Sequence, residues 1–432
     1  ATRRRERTQK LMVTIRSWAA PPVHGLRSLV ASVQQPKLVR TFASAAVVHP
    51  DRKRLLDCKR VVIKVGTAVV SNPNGTLALS RMGALVEEIA SLTAKGKQVM
   101  LISSGAVGLG RERIGLSKEV VSNVNNVVER QACAAAGQEL LMSTYNMMFS
   151  RLSLKCAQVL ITQEDFANRE RYSYLSDTLQ RLSELGVVPI INENDVVTGS
   201  SQLDPSTAGQ VFSDNDTLAA LIGASGHADA VLMMTDVDAV FTKPPGTPGA
   251  ERIAVYSDTT DFEEGAKSTM GRGGMGSKIG AARKATYAGA NCVIANGIHL
   301  HNISKVFAGE DIGTLFPAHA RASKKDFWLS QMAIPNGIVH IKHETALGLK
   351  KNGASLEMSG VSGSEGDFNA KSVVALRDAE TFKCIGRAIT QVDSDEIQSV
   401  LRMAGQSGKA TFGSSHTIAK EDDLTMHLVP RD

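Results

Sequence analysis

Lys64 stands inside the apolar run Val61-Val62-Ile63-Lys64-Val65, which leads into Gly66 and Thr67. An ammonium group in such a run is costly unless it faces an anion, and open α/β sheets hold their ligands at the carboxyl ends of strands. A lysine on a solvent-facing edge is the plainer alternative for this motif alone. Leu101-Ile102-Ser103-Ser104-Gly105-Ala106 repeats the arrangement, an apolar run entering a small-residue turn whose backbone N–H groups can approach an anion or merely turn tightly. No Gly-Lys-Ser/Thr follows it, nor does the ribose-binding acid of a dinucleotide fingerprint, so neither a P-loop nor a dehydrogenase is indicated. Val187 to Ile191 ends in Asn192-Glu193-Asn194-Asp195, four polar groups suited to an amino acid or a metal. Asp214-Asn215-Asp216 opens a further helical pattern, as ligand groups or as helix caps. Leu232-Met233-Met234 hands over to Thr235, Asp236 and Asp238. Finally, Gly271-Arg272-Gly273-Gly274-Met275-Gly276-Ser277-Lys278 precedes an Ala-rich helix. Glycines there permit close backbone contact with phosphates, with Lys278 as counter-charge at the helix start. They also fit a mobile lid.

Positioning these groups requires a sheet. Short Val/Ile-rich runs alternate with longer helical patterns from residue 60, the signature of a parallel sheet covered by helices on both faces. Strands are predicted at Arg60 to Val65, Gln98 to Ser103, Ala157 to Thr162, Val187 to Asn192, Ala230 to Thr235 and Asn291 to Ala295. Between the first two, Met82, Leu85, Val86, Ile89 and Leu92 recur at helical spacing, which predicts a helix over 80–95 with Ser80 as cap and Gly96 as stop. After Lys324 the pattern changes to short strands, at Gly337 to Ile341, Ser372 to Leu376 and Cys384 to Ile389. The expected fold class is α/β, a mainly parallel sheet sandwiched between helices over 58–317, with a second, smaller, mainly-β domain over 328–432.

Composition bounds the partners. The chain of 432 residues exceeds what one core usually organises. Of its 49 Lys/Arg and 43 Asp/Glu, nine and one fall in residues 1–50, so residues 51–432 carry 40 and 42. The formal charge of +6 therefore belongs to the first stretch and does not make the folded part a nucleic-acid binder. That stretch is rich in Ser, Ala and Arg, and the run from Val39 through Arg40 to Ala45 has the character of a mitochondrial processing site. A mitochondrial transit peptide is expected, with a plastid or a cytoplasmic location and a basic tail as alternatives. No apolar run reaches the ~20 residues of a membrane helix. Cys58, Cys133, Cys156, Cys292 and Cys384 show no CxxC and no zinc-ligand spacing, so a disulfide framework and structural zinc are not expected.

The motifs at 64–67, 103–106, 192–195, 214–216, 235–238 and 273–278 occur in the order and approximate spacing of the amino-acid kinase superfamily. With Gly-Met-Gly-Ser-Lys at 274–278 downstream of the two acid-and-amide clusters, the chain resembles the glutamate 5-kinases within it. The resemblance covers about 58 to 315, and the tail beyond Gly313-Thr314-Leu315-Phe316 is similar to a PUA domain. Two departures stand out. The segment between Asp195 and Asp214 is longer than the compact loop of bacterial members, and Arg272 occupies a position where a smaller residue is common.

The resemblance implies ATP, Mg²⁺ and L-glutamate as ligands, feedback inhibition by proline, a homo-oligomer and a separate γ-glutamyl phosphate reductase as downstream partner. It implies catalytic roles for Lys64, Asp216 and Lys278, with Asp216 organising the two lysines. Ser104, Asp195 and Asn215 are expected to hold glutamate. Lys64, Thr235, Asp236, Arg272, Gly273, Gly274, Met275, Gly276, Ser277 and Lys278 are expected to hold the nucleotide, and no protein ligand for the metal is assigned. Another superfamily member, or a non-catalytic regulatory or RNA-binding protein, is the alternative. Residues 331–432 carry eleven Lys/Arg against thirteen Asp/Glu, a balance that speaks against RNA.

Overall fold

The structure is a computed structural model that describes residues 49–123, 126–198, 214–257, 260, 274–352, 354–407 and 417–426. The expected transit peptide therefore lies outside the described residues apart from its last two positions, as do Arg272 and Gly273 and most of the long segment between Asp195 and Asp214. Seven strands form the larger sheet: β1 Arg60–Val65, β2 Gln98–Ser103, β3 Lys155–Ile161, β4 Val187–Glu193, β5 Ala230–Thr235, β6 Asn291–Asn296 and β7 Thr314–Phe316, in the order β3-β4-β2-β1-β5-β6-β7. All pairs are parallel except β6 with β7.

The helices follow in chain order as α1 Thr67–Val70, α2 Leu79–Ala94, α3 Ala106–Ile114, α4 Lys118–Ser122, α5 Val127–Arg151, α6 Gln163–Ala167, α7 Arg169–Glu184, α8 Asn215–Ser225, α9 Met275–Tyr287 and α10 Asn302–Phe307. Alternation along β1 divides two cores. Val61, Ile63 and Val65 pack with α2, α5 and α10, whereas Val62 packs with α7, α8 and α9. Because successive side chains of a strand point to opposite faces, Lys64 shares the face of Val62 and is aimed toward α8. β2 and β5 flank β1, and the chain crosses from one side of β1 to the other between β4 and β5, which places the crevice for a ligand at the carboxyl end of β1.

Two expectations are adjusted. Helix α2 begins at Leu79, with Ala78 at its N-cap and no side-chain cap. Ser80 sits inside the first turn, and Arg81 instead bonds the preceding chain through Val69 O and Ser71 O. Strand β3 starts at Lys155, two residues earlier than its apolar pattern, because it is an edge strand whose residues are mostly half-exposed.

Beyond β7, α11 Lys324–Phe327 runs into a π-helical turn, Trp328–Met332. Phe327, Trp328, Leu329 and Met332 are buried in the core built on α7, α8 and α9, and the Trp328 indole N–H donates to Phe166 O at 2.9 Å. A five-stranded sheet follows, formed by β8 Gly337–Ile341, β10 Val361–Glu365, β11 Val373–Asp378, β12 Cys384–Ile389 and β14 Leu424–Met426, in the order β10-β8-β11-β12-β14. A small sheet of β9 Leu356–Glu357 and β13 Thr417–Ala419 adds to it, with α12 His343–Asn352 and α13 Ser394–Ser407. Buried Arg387 of β12 donates to Leu329 O and Ala333 O, and Lys325 pairs with Asp423 at 2.7 Å, so the second sheet is tied to the connecting segment by charge-assisted bonds.

Candidate active site

Asp216 lies in the first turn of α8, two residues past the N-cap Asp214, whose carboxylate accepts the Thr217 N–H at 2.7 Å. Lys64 reaches Asp216 Oδ1 at 2.7 Å from β1, and Lys278 reaches Oδ2 at 3.2 Å from the first turn of α9. All three are buried, at 7%, 3% and 9% exposure for Lys64, Asp216 and Lys278. Burial alone would raise the Asp216 carboxyl, but the ammonium groups of Lys64 and then Lys278 outweigh it and hold the group below the usual carboxylate range. Two cations on one anion leave a residual positive charge in a place shielded from water. Such a charge calls for an anionic ligand.

The N-termini of α8 and α9 are held together. Asp214 uses its second oxygen to accept the Ser277 hydroxyl, so one acid of the Asp-Asn-Asp cluster holds Ser277 and the other holds Lys278. Gly274 is the N-cap of α9, with Met275, Gly276 and Ser277 in its first turn. The positive end of a helix thus faces the same crevice as the lysines.

Asn215, between the two acids, points elsewhere. Its Nδ2 donates to Ser104 Oγ at 2.8 Å and to Asn192 Oδ1 at 3.2 Å. Ser104 follows β2, and its N–H donates to Val65 O, which sets it beside the end of β1. Asn192 Nδ2 in turn donates to Gln138 Oε1 of α5 at 3.1 Å. Asp195 lies two residues beyond β4, half-buried at the same edge of the parallel sheet. Thr235 ends β5, and its hydroxyl donates to Asp236 Oδ1 at 3.0 Å; beside them Asn296 Nδ2 donates to Asp238 Oδ1 at 2.7 Å. These groups line the carboxyl ends of β2, β4, β1, β5 and β6, with the Lys64–Asp216–Lys278 ion cluster at the centre, a polar amide group on one side and a carboxylate cluster on the other.

The sequence profile described as the amino acid kinase family matches residues 59–296. The chain belongs to that family. The profile of the PUA domain matches residues 337–409 of this kinase. It is 36% identical over 375 residues to a protein named glutamate 5-kinase from Synechococcus elongatus, covering 85% of this chain and 99% of the relative. Against a protein of the same name from Moorella thermoacetica the identity is 40% over 365 residues, covering 83% and 93%. Delta-1-pyrroline-5-carboxylate synthase 1 of Oryza sativa is 41% identical over 300 residues, which span 67% of this chain and 42% of the rice protein. Among solved structures, a UMP kinase from Bacillus anthracis aligns at 16% identity with a TM-score of 0.41, covering 61% of this chain and 97% of that one.

The sequence-expected residues of this kinase fall into three positions. Lys64, Asp216 and Lys278 meet; Ser104 and Asn215 are bonded; Thr235 and Asp236 stand at the carboxyl end of β5, and residues 274–278 at the start of α9. Gln138 and the bond between Asp214 and Ser277 were not expected. For Gln138 a signal existed, because it interrupts the otherwise small or apolar stripe Cys133, Ala134, Gly137, Leu141 and Tyr145 that α5 buries. Asp214 caps α8, one of the two roles its cluster offered, and the sequence carried no signal for its bond to Ser277. Among the described residues no cluster of three His, Cys, Asp or Glu could cage a metal. The buried Asp216 carboxylate is already taken by two ammonium groups, so the donor set fits a cation carried in on a ligand's phosphates rather than one resident on the protein.

Proposed function

We infer that this kinase transfers the γ-phosphoryl group of ATP to the γ-carboxylate of L-glutamate, giving γ-glutamyl phosphate and ADP, the first step toward proline. The carrying observation is the buried Lys64–Asp216–Lys278 arrangement, two cations converging on one carboxylate at the mouth of a parallel sheet. Extensive likeness to proteins named glutamate 5-kinase supports the choice of acceptor.

The acceptor carboxylate has an ordinary pKa of about 4.3, so it is ionised at neutral pH and needs no general base. What the site must overcome is repulsion between that carboxylate and the triphosphate. A carboxylate oxygen forms its bond to the γ-phosphorus as the bond to the β-γ bridging oxygen breaks, and the electron pair leaves on ADP. Charge on the transferring group spreads over its outer oxygens, and cations fixed in advance are the largest available contribution. Lys64 and Lys278 supply them, and Asp216 holds both in place before substrate arrives. Mg²⁺, brought in with the triphosphate, would neutralise further charge there. Ser104, Asp195 and Asn215 hold glutamate, while Thr235, Asp236 and residues 272–278 hold the nucleotide.

We assign proline as a feedback inhibitor, a homo-oligomeric assembly, a separate γ-glutamyl phosphate reductase as consumer of the labile product, and residues 1–50 as a mitochondrial transit peptide to the same reading. The deciding experiment gives the full chain ATP and Mg²⁺ with glutamate, aspartate, N-acetylglutamate or UMP, and traps acyl phosphate with hydroxylamine. Hydroxamate formed with glutamate alone is the expected result. Turnover with another acceptor would overturn the substrate assignment, and no turnover with any would overturn the kinase reading.

A further inference from the structure

Resting on the glutamate reading, we propose that Gln138 is a positioning residue that fixes the donor–acceptor polarity of the amino-acid site through Asn192. The observations form a chain. Gln138 Oε1 accepts from Asn192 Nδ2 at 3.1 Å, which turns Asn192 Oδ1 toward α8. There Asn192 Oδ1 accepts from Asn215 Nδ2 at 3.2 Å, and the second hydrogen of Asn215 Nδ2 goes to Ser104 Oγ at 2.8 Å. Gln138 and Asn192 are both buried, at 8% and 4% exposure, so water does not compete for these bonds.

An amide offers two donors at one end and an acceptor at the other, and partners decide which end faces which. Both hydrogens of Asn215 are spent on protein, so its Oδ1 is the end left to accept from a ligand. Ser104 Oγ already accepts from Asn215, so its O–H is left to donate. An α-amino acid presents an ammonium, which needs acceptors, and carboxylates, which need donors, so this polarity matches it. Reversal has to run the whole length of the chain, because turning Asn192 alone sets N–H against N–H on one side and O against O on the other. The reversed chain would have Gln138 donate, Ser104 donate into Asn215, and Asn215 offer its NH₂ to the ligand, the wrong end for an ammonium.

Gln138 is presented to Asn192 from a closely packed stretch of α5. Its neighbour Gly137 lies directly on α3, where an added Cβ would overlap the Ala106 carbonyl oxygen and stand 2.5 Å from Gly110 N. Two turns on, the Tyr145 hydroxyl is 2.9 Å from Ser103 Oγ, next to Ser104. Helix α5 is thereby fixed to both sides of the Ser104 turn.

The test compares Gln138→Met, which removes the acceptor at similar volume, with Gln138→Glu, whose carboxyl can accept but, when ionised, cannot donate. Hydroxamate formation is titrated separately in glutamate and in ATP for each full-length variant and for wild type. Gln138→Met is expected to raise the glutamate KM about ten-fold or more, the cost of an unpaired buried amide, with the ATP KM unchanged; Gln138→Glu should keep the glutamate KM within about three-fold of wild type. If Gln138→Met does not fold, Gln138→Asn withdraws the same carbonyl by one methylene and carries the same expectation. An unchanged glutamate KM in the Met or Asn variant overturns the proposal, as does a parallel rise in both KM values, which marks a merely structural role. A Gln138→Glu enzyme as impaired as Gln138→Met shows the reversed polarity and overturns it too. A wild-type chain that forms no hydroxamate with glutamate fails at the earlier step, taking the glutamate reading and this proposal together.

Discussion

The Lys64 ammonium lies 2.7 Å from the Asp216 carboxylate, with both side chains buried and each delivered by a different kind of element, a central strand and the first turn of a helix. The strand's two-residue alternation aims the lysine at α8, and the capping geometry of Asp214 fixes where α8 begins. The ion pair is therefore a product of register on one side and of helix capping on the other, and Lys278 joins it from a third element.

Asp216→Asn should lower kcat by about two to three orders of magnitude, the usual cost of disturbing one preorganised electrostatic element. Without the carboxylate, two buried ammonium groups face each other and neither keeps its place for the phosphoryl group. The glutamate KM should stay within a few-fold, because Asp216 touches lysines rather than the amino-acid side of the site. Steady-state hydroxamate assays check both numbers. A variant whose glutamate KM rises as much as its kcat falls would place Asp216 on the substrate instead.

Asp195→Ala should act the opposite way. A carboxylate at the edge of β4 is the expected partner of the substrate ammonium, and a hydrogen bond to a charged group is worth about 1.5–3 kcal/mol. That corresponds to roughly a ten- to hundred-fold rise in glutamate KM with little change in kcat. The same titration with ATP should show no change.

Much of this was legible in the sequence, and the failures have physical causes. Strands β1, β2 and β5 coincide with their apolar runs because both faces are buried and the pattern has no competing signal. Edge strand β3 is longer than its apolar run, since half-exposed positions leave composition free. The cap of α2 was misplaced because Ser80 could cap, while the actual start is set by Arg81 reaching back to Val69 and Ser71, a tertiary choice invisible to local rules. Lys64, Asp216 and Lys278 could be named from motifs, but not that they meet. Gln138 carried a signal, as the one amide within the small and apolar stripe of α5, but its partner Asn192 lies 54 residues away and only the packing of α5 on the sheet brings the two together.

In the second sheet, Asp378 ends β11 and accepts the backbone N–H groups of Thr381 at 3.0 Å and Glu380 at 2.9 Å, with His343 Nδ1 at 2.7 Å. The Thr381 N–H chiefly, with His343 and Glu380, lowers its carboxyl from the ordinary 3.8 to about 2. A folded-state pKa below the unfolded one stabilises the fold above pH 3.8, and the contribution is lost as pH falls toward about 2. Asp378→Asn should therefore lower Tm at neutral pH, and the gap from wild type should close between pH 4 and pH 2. Thermal unfolding of both proteins across that window checks it. A gap that stays constant to pH 2 would show that the ionised carboxylate is not what holds the turn.

Gly137→Ala tests whether the meeting of α3 and α5 governs the amino-acid side of the site. The new Cβ would overlap the Ala106 carbonyl oxygen, a backbone atom that cannot rotate away, so the helices must separate. Overpacking of this kind costs about 1–3 kcal/mol, and a fall in Tm is expected. Separation also carries Gln138 of α5 away from Asn192 and shifts the turn holding Ser104, which leads into α3. The glutamate KM should consequently rise while the ATP KM, assigned above to residues of β5 and α9 on the far side of β1, is expected to remain near wild type. Stability lost with both KM values unchanged would mean that the helix contact supports the fold without shaping the site, and would separate the packing of α3 on α5 from the recognition of substrate.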